Sequence, residues 1–202
     1  MNENIRPHLI NLIEIVNRVG VPMEGSLFFG DQVMNINIDQ IKDRSYTKAI
    51  ELSKFSKNKT DLLEVGFNSG FSALVFLMSS DTLKVTSVDL CGYQYTMPCY
   101  EYLKTCFGDR IDLIKGPSEE VLPNLLAINN NFDSYFIDGG HSDIVTNLDF
   151  QNILTNCMTG VEICADDYNF PVIKNITQKY IDMGSLEVIH TYEDNVILKA
   201  IK

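Results

Sequence analysis

The sequence contains no tryptophan, and basic residues are scarce, with 16 Lys and Arg against 27 Asp and Glu. The resulting net charge of −11 repels phosphate backbones and anionic lipid surfaces. We therefore expect neither nucleic acid nor a membrane as a partner. The five cysteines are an odd number and include no C-x-x-C pair, which argues against a disulfide framework or a structural zinc site.

Two further absences concern the location of the protein. No apolar run reaches the length of a membrane span. The first twenty residues lack the uninterrupted apolar core of a signal peptide, because Asn11, Glu14 and Asn17 interrupt it. Together with the unpaired cysteines, which suit a reducing compartment, these features predict a cytoplasmic protein.

From residue 61 onward the sequence alternates between strand and helix patterns. Such alternation favours a parallel sheet covered by helices on both faces. The short turn "YEDN" before the final strand requires that strand to run antiparallel to the one before it. We therefore predict an α/β fold with a Rossmann-like, doubly wound, seven-stranded sheet and an antiparallel last strand. The predicted strands are Leu62–Val65, Lys84–Asp89, Ile111–Lys115, Phe132–Asp138, Val161–Asp166, Leu186–Thr191 and Asn195–Ile201, and the helices between the first six are 72–79, 97–107, 118–128, 144–157 and 171–183.

Residues 1–59 form an N-terminal extension to the predicted domain of residues 60–202. Apolar spacing predicts helices over residues 4–19 and Tyr46–Phe55. Residues 21–44 show no period, and we expect an irregular segment at the surface. Its run "SLFFG" has three interpretations: part of a lid over a substrate, a contact in a homodimer, or a flap on the core.

The stretch "TDLLEVGFNSGFSALVF" predicts a strand, a glycine turn and a helix. Many folds use this arrangement to hold a nucleotide. The dinucleotide fingerprint needs a glycine where Asn68 stands, and no Gly-Lys-Ser/Thr follows, so an NAD or NTP site is disfavoured. A tight turn without a ligand is the alternative. Asp89 follows Gly66 by 23 residues at the end of the next strand, where a carboxylate can bind a ribose diol.

Five segments together resemble the class I S-adenosylmethionine-dependent methyltransferases. They are, in order, "LLEVGFNSGFSALVF", "VTSVDL", "IKGPSEEVLP", "FDSYFIDGGHS" and "EICADDY". The chain is most similar to the metal-dependent catechol-type O-methyltransferases and their relatives with a DGxH motif. The resemblance covers roughly residues 60–202 and implies S-adenosylmethionine as cofactor.

The resemblance also implies roles for individual residues. The methionine end of the cofactor is expected at the glycine turn, with its carboxylate at a helix N-terminus, where N–H groups favour an anion. The ribose and the adenine are expected at the next two strand ends. Pro117 departs from the pattern of many relatives, which have an Asp there. The implied cofactor-binding residues are Glu64, Gly66, Gly70, Ser72, Asp89, Ser118, Glu119 and Asp138.

Three carboxylates are predicted to meet where strands four and five end. Asp138 follows strand four, and Asp166 and Asp167 follow strand five. Carboxylates so close repel one another unless a cation lies between them, and oxygen ligands suit Mg²⁺. The resemblance implies that the metal holds a substrate hydroxyl and lowers its pKa. The alternative is that Asp166 or Asp167 only caps the following helix.

His141 lies three residues after Asp138, where catechol-type enzymes keep a basic residue that takes the hydroxyl proton. An imidazole titrates near neutrality and can serve as that base. The alternative is a histidine that orients the loop through a carboxylate. The catalytic residues we predict are His141 and Asp138.

These features predict a methyltransferase, and the predicted reaction is O-methylation of a small-molecule hydroxyl. Two other functions stay open on the same scaffold: a nucleotide-dependent oxidoreductase and a non-catalytic module that binds S-adenosylmethionine. The acidic surface favours a small or cationic acceptor, and a homodimer is a further prediction.

Overall fold

The computed structural model describes residues 4–201, and helices and strands alternate along them as predicted. The largest difference in bounds is at the second helix, which begins at Asp43 instead of Tyr46. Its first turn is polar, so apolar spacing alone does not reveal it. The helices are α1 (Ile5–Val19), α2 (Asp43–Ser56), α3 (Phe71–Ser79), α4 (Thr96–Phe107), α5 (Ser118–Ile128), α6 (Asp143–Asn156) and α7 (Pro171–Asp182). The strands are β1 (Asp61–Val65), β2 (Lys84–Asp89), β3 (Ile111–Lys115), β4 (Ser134–Ile137), β5 (Glu162–Ala165), β6 (Leu186–Thr191) and β7 (Val196–Ala200).

The strands form one seven-stranded sheet in the order β3-β2-β1-β4-β5-β7-β6. Strand β4 pairs in parallel with β1 and β5, whereas β7 runs antiparallel to both β5 and β6. This topology confirms the predicted Rossmann-like sheet with an antiparallel last strand. The order reverses beside β1, and in open α/β sheets ligands bind at such a switch, outside the carboxyl ends of the strands.

The chain divides into two compact units. The first comprises the described residues through Asn58, together with Phe67–Val85 and Cys91–Leu113. In it, α3 packs against α1 and α2, and α1 also packs against α4. The predicted boundary at residue 59 stays a prediction, since this unit joins the extension to two later stretches.

The second unit comprises Lys59–Gly66, Thr86–Leu90 and the described residues from Ile114 onward. Its core lies between the sheet and helices α5, α6 and α7, and includes Val65, Tyr135 and Phe150. Phe150 and Tyr135 are fully buried. No helix among the described residues is long and apolar enough to span a membrane.

Residues 21–44 are irregular, as expected, and more than half of them are exposed. Before α2 begins at Asp43, the regular elements among them are a bridge between Met23 and Val33 and a short 3₁₀ turn at Ile38–Gln40, yet most of their apolar side chains are buried. The segment lacks a hydrophobic period because its backbone is irregular, so its buried apolar side chains do not recur at a fixed spacing. The buried members are Met23, Leu27, Phe28, Phe29, Ile36 and Ile41.

Candidate active site

The carboxyl ends of β1, β4 and β5 lie side by side, because the register pairs Val65 with Ile137 and Ile137 with Ala165. The backbone pairing continues one residue past the strands. The N–H of Asp138 donates to the carbonyl of Val65 at 2.9 Å, and the N–H of Asp166 donates to that of Ile137 at 3.0 Å. The sheet therefore brings the backbones of Asp138 and Asp166 to one edge, as predicted.

Gly66 lies where β1 passes closest to the loop after β4. Its φ is +97°, and a Cβ there would lie 2.0 Å from the carbonyl oxygen of Asp138. Its N–H donates to the carbonyl of Val88 at 2.8 Å. Only glycine has both the conformational freedom and the space that this position requires. The close approach of the Asp138 backbone therefore explains the first glycine of the turn, and this explanation does not depend on a ligand.

Glu64, the predicted pocket residue of β1, is fully buried. Its carboxylate accepts a hydrogen bond from the hydroxyl of Ser87 in β2, which is also fully buried. A buried carboxylate needs such donors, because transfer of its charge out of water is costly. Glu64 therefore joins neighbouring strands beneath the glycine turn.

The residues predicted to contact adenosine lie at the ends of β2 and β3. Asp89 is half-buried, and its carbonyl accepts a hydrogen bond from the N–H of Gly116 at 2.9 Å. Ser118 and Glu119 are the first two residues of α5. The first N–H groups of a helix have no partner within it, so they are available to ligand acceptors. One backbone bond thus links Asp89 to the turn that begins α5.

A cluster of metal-ligating side chains lies at the carboxyl edge of β4 and β5. Single ligand atoms of Asp138, His141 and Asp167 all lie within 4.8 Å of one another. Nε2 of His141 is 2.8 Å from Oδ2 of Asp167. Two carboxylates and an imidazole at this spacing are a donor set that fits a divalent cation.

Asp166 does not belong to that cluster. It is buried, with 4% of its surface exposed, whereas its neighbour Asp167 is half-buried. The backbone leaves the extended conformation at Asp167, whose φ is +53°, a left-handed value that aspartate tolerates better than most residues. The structure brings together Asp138 and Asp167 from the predicted metal set and adds His141.

Two local features hold the loops that carry the cluster. The hydroxyl of Ser142 accepts the N–H of Val145 at 3.2 Å and caps α6 directly after His141. The N-cap of α7 is Phe170, whose N–H donates to the backbone carbonyl of Asp167 at 2.7 Å. The side chain of Asp167 bonds to His141, so the carbonyl rather than the carboxylate of Asp167 supports the start of α7.

Asp149 in α6 is a buried carboxylate that the sequence analysis missed. It is fully buried, and neither of its carboxylate oxygens makes a hydrogen bond of ordinary geometry with the described residues. Burial raises the pKa of Asp149 to about 7; Glu119 adds to the rise, and the hydroxyl of Ser118 opposes it. A Cβ on Gly139 would lie 3.3 Å from its Oδ2. Asp149 therefore lies beneath the Asp138 loop and close to the start of α5.

The glycine turn continues in the first unit, where Gly70 is the N-cap of α3. Its φ is +76°, and a Cβ would lie 2.6 Å from the ring of Phe67 and 2.9 Å from Leu103. Ser72 is the second residue of α3 and is 8% exposed. The turn thus leads directly into a helix N-terminus, the feature predicted to hold a carboxylate.

Residues 63–168, more than half of the chain, match a family model described as a methyltransferase domain. This stretch contains the glycine turn, the ends of β2, β3, β4 and β5, and all three residues of the cluster. A search of curated proteins found no match.

Solved structures similar to this chain include methyltransferases. The O-methyltransferase from Bacillus cereus in complex with S-adenosylhomocysteine has 16% identity and a TM-score of 0.65, with 96% of this chain and 90% of that chain covered. The S-adenosylhomocysteine-bound methyltransferase PaMTH1 from Podospora anserina has 15% identity and a TM-score of 0.66, with 100% and 97% covered. The apo TDP-rhamnose 3′-O-methyltransferase CalS11 of calicheamicin biosynthesis has 14% identity and a TM-score of 0.65, with 79% and 82% covered. At this identity the likeness establishes the fold.

Proposed function

This chain belongs to the methyltransferase domain family, and we propose that it transfers the methyl group of S-adenosylmethionine to a hydroxyl oxygen of a small molecule with the help of a divalent cation. The observation that carries the proposal is the cluster of Asp138, His141 and Asp167 at the carboxyl edge of the sheet. Parallel sheets bind ligands at this edge. The two O-methyltransferase structures described above support oxygen as the acceptor atom.

The cofactor is proposed to lie along the carboxyl edge from the glycine turn to the start of α5. Its α-carboxylate would meet the N-terminus of α3 near Gly70 and Ser72, and its ribose would bind Asp89. The residues proposed to bind it are Glu64, Gly66, Gly70, Ser72, Asp89, Ser118, Glu119 and Asp138. Two of the similar structures hold S-adenosylhomocysteine, the product that S-adenosylmethionine leaves after methyl transfer, which supports this assignment.

Asp138 and Asp167 are the proposed metal ligands, with Mg²⁺ as the cation; Asp166, the third carboxylate predicted from the sequence, lies outside the cluster. Such a cation lowers the pKa of a bound hydroxyl. Asp167 can serve the cation and His141 together because a carboxylate has two oxygens. The cluster includes a nitrogen donor in place of Asp166, so Mn²⁺, which also accepts imidazole, is the natural second cation to test.

His141 is proposed as the base that takes the hydroxyl proton. If its Nε2–H donates to Asp167 at 2.8 Å, Nδ1 is the unprotonated nitrogen that can accept a proton. The acceptor oxygen then attacks the methyl carbon. With S-adenosylmethionine bound, the C–O bond would form as the C–S bond breaks, which would leave a neutral thioether. The chain contributes mainly by positioning the reactants in line.

The acceptor is proposed to be a small molecule, since the net charge of −11 disfavours nucleic acid. Cytoplasmic location and a homodimer remain part of the same proposal. They rest on the sequence features given above.

The test is transfer of a radiolabelled methyl group from S-adenosylmethionine to a panel of hydroxylated small molecules. Transfer should stop with EDTA and return with Mg²⁺ or Mn²⁺. Asp138→Asn should abolish it, while Asp182→Asn, at the exposed end of α7, should leave it unchanged. Full transfer in EDTA would overturn the role of the cation. Binding of S-adenosylmethionine without transfer to any acceptor in the panel would count against catalysis.

A further inference from the structure

Residues 23–33 of the extension form a loop that is closed on itself, which we call the strap. The N–H of Met23 donates to the carbonyl of Val33 at 2.9 Å and closes its base. Within it, the N–H of Ser26 donates to the carbonyl of Phe29 at 2.9 Å. Gln32 donates to the carboxylate of Glu24 at 3.1 Å. The strap thus has a defined conformation although it contains no helix or extended strand.

One hydrogen bond ties the strap to the glycine turn. Nδ2 of Asn68 donates to the carbonyl oxygen of Gly25 at 2.8 Å. Asn68 lies between the two glycines of the turn and has a φ of +52°. The direction of its side chain depends on this left-handed backbone conformation. A change in the backbone conformation of the turn would therefore move this donor.

A second hydrogen bond ties the strap to the loop after β2. The N–H of Glu24 donates to the hydroxyl oxygen of Tyr95 at 3.2 Å. Tyr95 is fully buried, and its ring stacks on that of Tyr93 with centroids 5.4 Å apart and planes 7° from parallel. A hydroxyl on so well-packed a ring is a fixed acceptor, so it sets the position of the strap.

The strap also packs on the first residue of α3. The ring of Phe28 meets that of Phe71 edge-on at 5.5 Å, and the ring of Phe29 lies 5.6 Å from it. Phe71 follows Gly70, the N-cap of the helix whose N-terminus is proposed to hold the cofactor carboxylate. The strap therefore contacts both the turn and the helix start of the methionine end.

We infer that the strap is a wall of the cofactor site, with Asn68 and Tyr95 as positioning residues that seat it on the glycine turn. The inference rests on the proposed function. A cofactor bound to the turn stabilises the turn conformation that Asn68 needs, so it stabilises the seated strap. By linkage, a seated strap raises cofactor affinity by the same factor.

Hydrogen exchange of the full chain, followed by mass spectrometry, tests this coupling. In the wild type, S-adenosylhomocysteine should slow the exchange of amides in residues 23–33. Asn68→Gly keeps the left-handed conformation available but removes the donor, and Asn68→Asp keeps the size but cannot donate. Both variants, and Tyr95→Phe, should exchange faster in the strap and should bind S-adenosylhomocysteine about fivefold more weakly, the usual weight of one hydrogen bond.

Asn58→Ala, at an exposed asparagine between α2 and β1, is the control and should behave as the wild type. If S-adenosylhomocysteine binds the wild type without slowing strap exchange, or if the Asn68 variants keep full affinity and protection, the inference is overturned and the proposed function stands. If S-adenosylhomocysteine does not bind at all, both fail. A merely structural role would lower the melting temperature of the variants but leave the ligand-dependent difference in exchange intact.

Discussion

Nε2 of His141 lies 2.8 Å from Oδ2 of Asp167, which joins the loop after β4 to the loop after β5. Both side chains are partly accessible, with 43% and 31% of their surface exposed, so a substrate can reach them. Asp138 lies within 4.8 Å of both. A carboxylate that hydrogen-bonds one imidazole nitrogen orients the ring, as the proposed role of His141 as a base requires.

The first prediction separates the two roles that this geometry allows for His141. If His141 is the base, His141→Gln should lower methyl transfer by roughly 10²–10⁴-fold, the usual contribution of a positioned base. It should leave Mn²⁺ affinity, measured by isothermal titration, within about twofold. Asp138→Asn should lower both quantities. Loss of Mn²⁺ affinity in His141→Gln as large as in Asp138→Asn would identify His141 as a ligand instead.

The second prediction concerns the close approach at Gly66. Gly66→Ala should lower the free energy of unfolding by about 3 kcal/mol or more, because its Cβ would lie 2.0 Å from the carbonyl oxygen of Asp138. Gly160→Ala is the matched control, since Gly160 has a similar φ of +91° and a Cβ added there would have no atom within 4 Å. It should cost only the conformational strain, about 1–2 kcal/mol. Urea denaturation measures both, and equal losses would contradict the close contact.

The third prediction concerns stability against pH. The pKa of Asp149 is raised to about 7 in the folded chain, against about 3.9 for an unfolded aspartate. The folded state therefore binds the proton more tightly than the unfolded state does, and this difference adds to the free energy of unfolding. The contribution is complete below about pH 4 and is lost as the pH rises to about 7. The full effect is on the order of 4 kcal/mol.

Asp149→Asn removes this titration and should melt at a higher temperature than the wild type at pH 8. The advantage should shrink as the pH falls to 5. Thermal melts in metal-free buffer measure it, with the exposed Asp81→Asn as control. A difference between the variant and the wild type that does not change with pH would show that Asp149 does not titrate in this range.

The fourth prediction concerns the support beneath the glycine turn. Ser87→Ala removes a donor from the fully buried carboxylate of Glu64 and should lower the free energy of unfolding by about 1–3 kcal/mol. Ser134→Ala is the control, because Ser134 is equally buried but its hydroxyl bonds to the half-buried carboxylate of Asp133. Urea denaturation should show a smaller loss there. A loss at Ser134 equal to or larger than that at Ser87 would contradict the argument.

The sequence predicted the sheet and the place of the site because both depend on local patterns. Apolar periodicity marks each strand and helix, and parallel strands necessarily bring the residues after them to one edge. Asp138 and Asp167 were found in this way.

What the sequence did not reveal depends on tertiary packing. Asp149 lies in a helical stretch where an aspartate is expected to face solvent, and its burial involves the loop at Gly139 and the start of α5, which are distant in sequence. Phe28 and Phe29 have no periodic neighbours, so their contacts with Phe71 cannot be inferred from spacing. Asp167 rather than Asp166 lies in the cluster with Asp138 and His141, and the left-handed φ of +53° at Asp167 is not predicted by the strand pattern.

The central claim is that the carboxyl edge of this sheet binds S-adenosylmethionine, and calorimetric titration tests it most directly. S-adenosylhomocysteine should bind the wild type in preference to NADH. Asp89→Asn, which weakens the proposed ribose contact, should lower that affinity at least about tenfold, while Asp81→Asn should not change it. Tighter binding of NADH, or no binding of S-adenosylhomocysteine at millimolar concentration, would contradict the account.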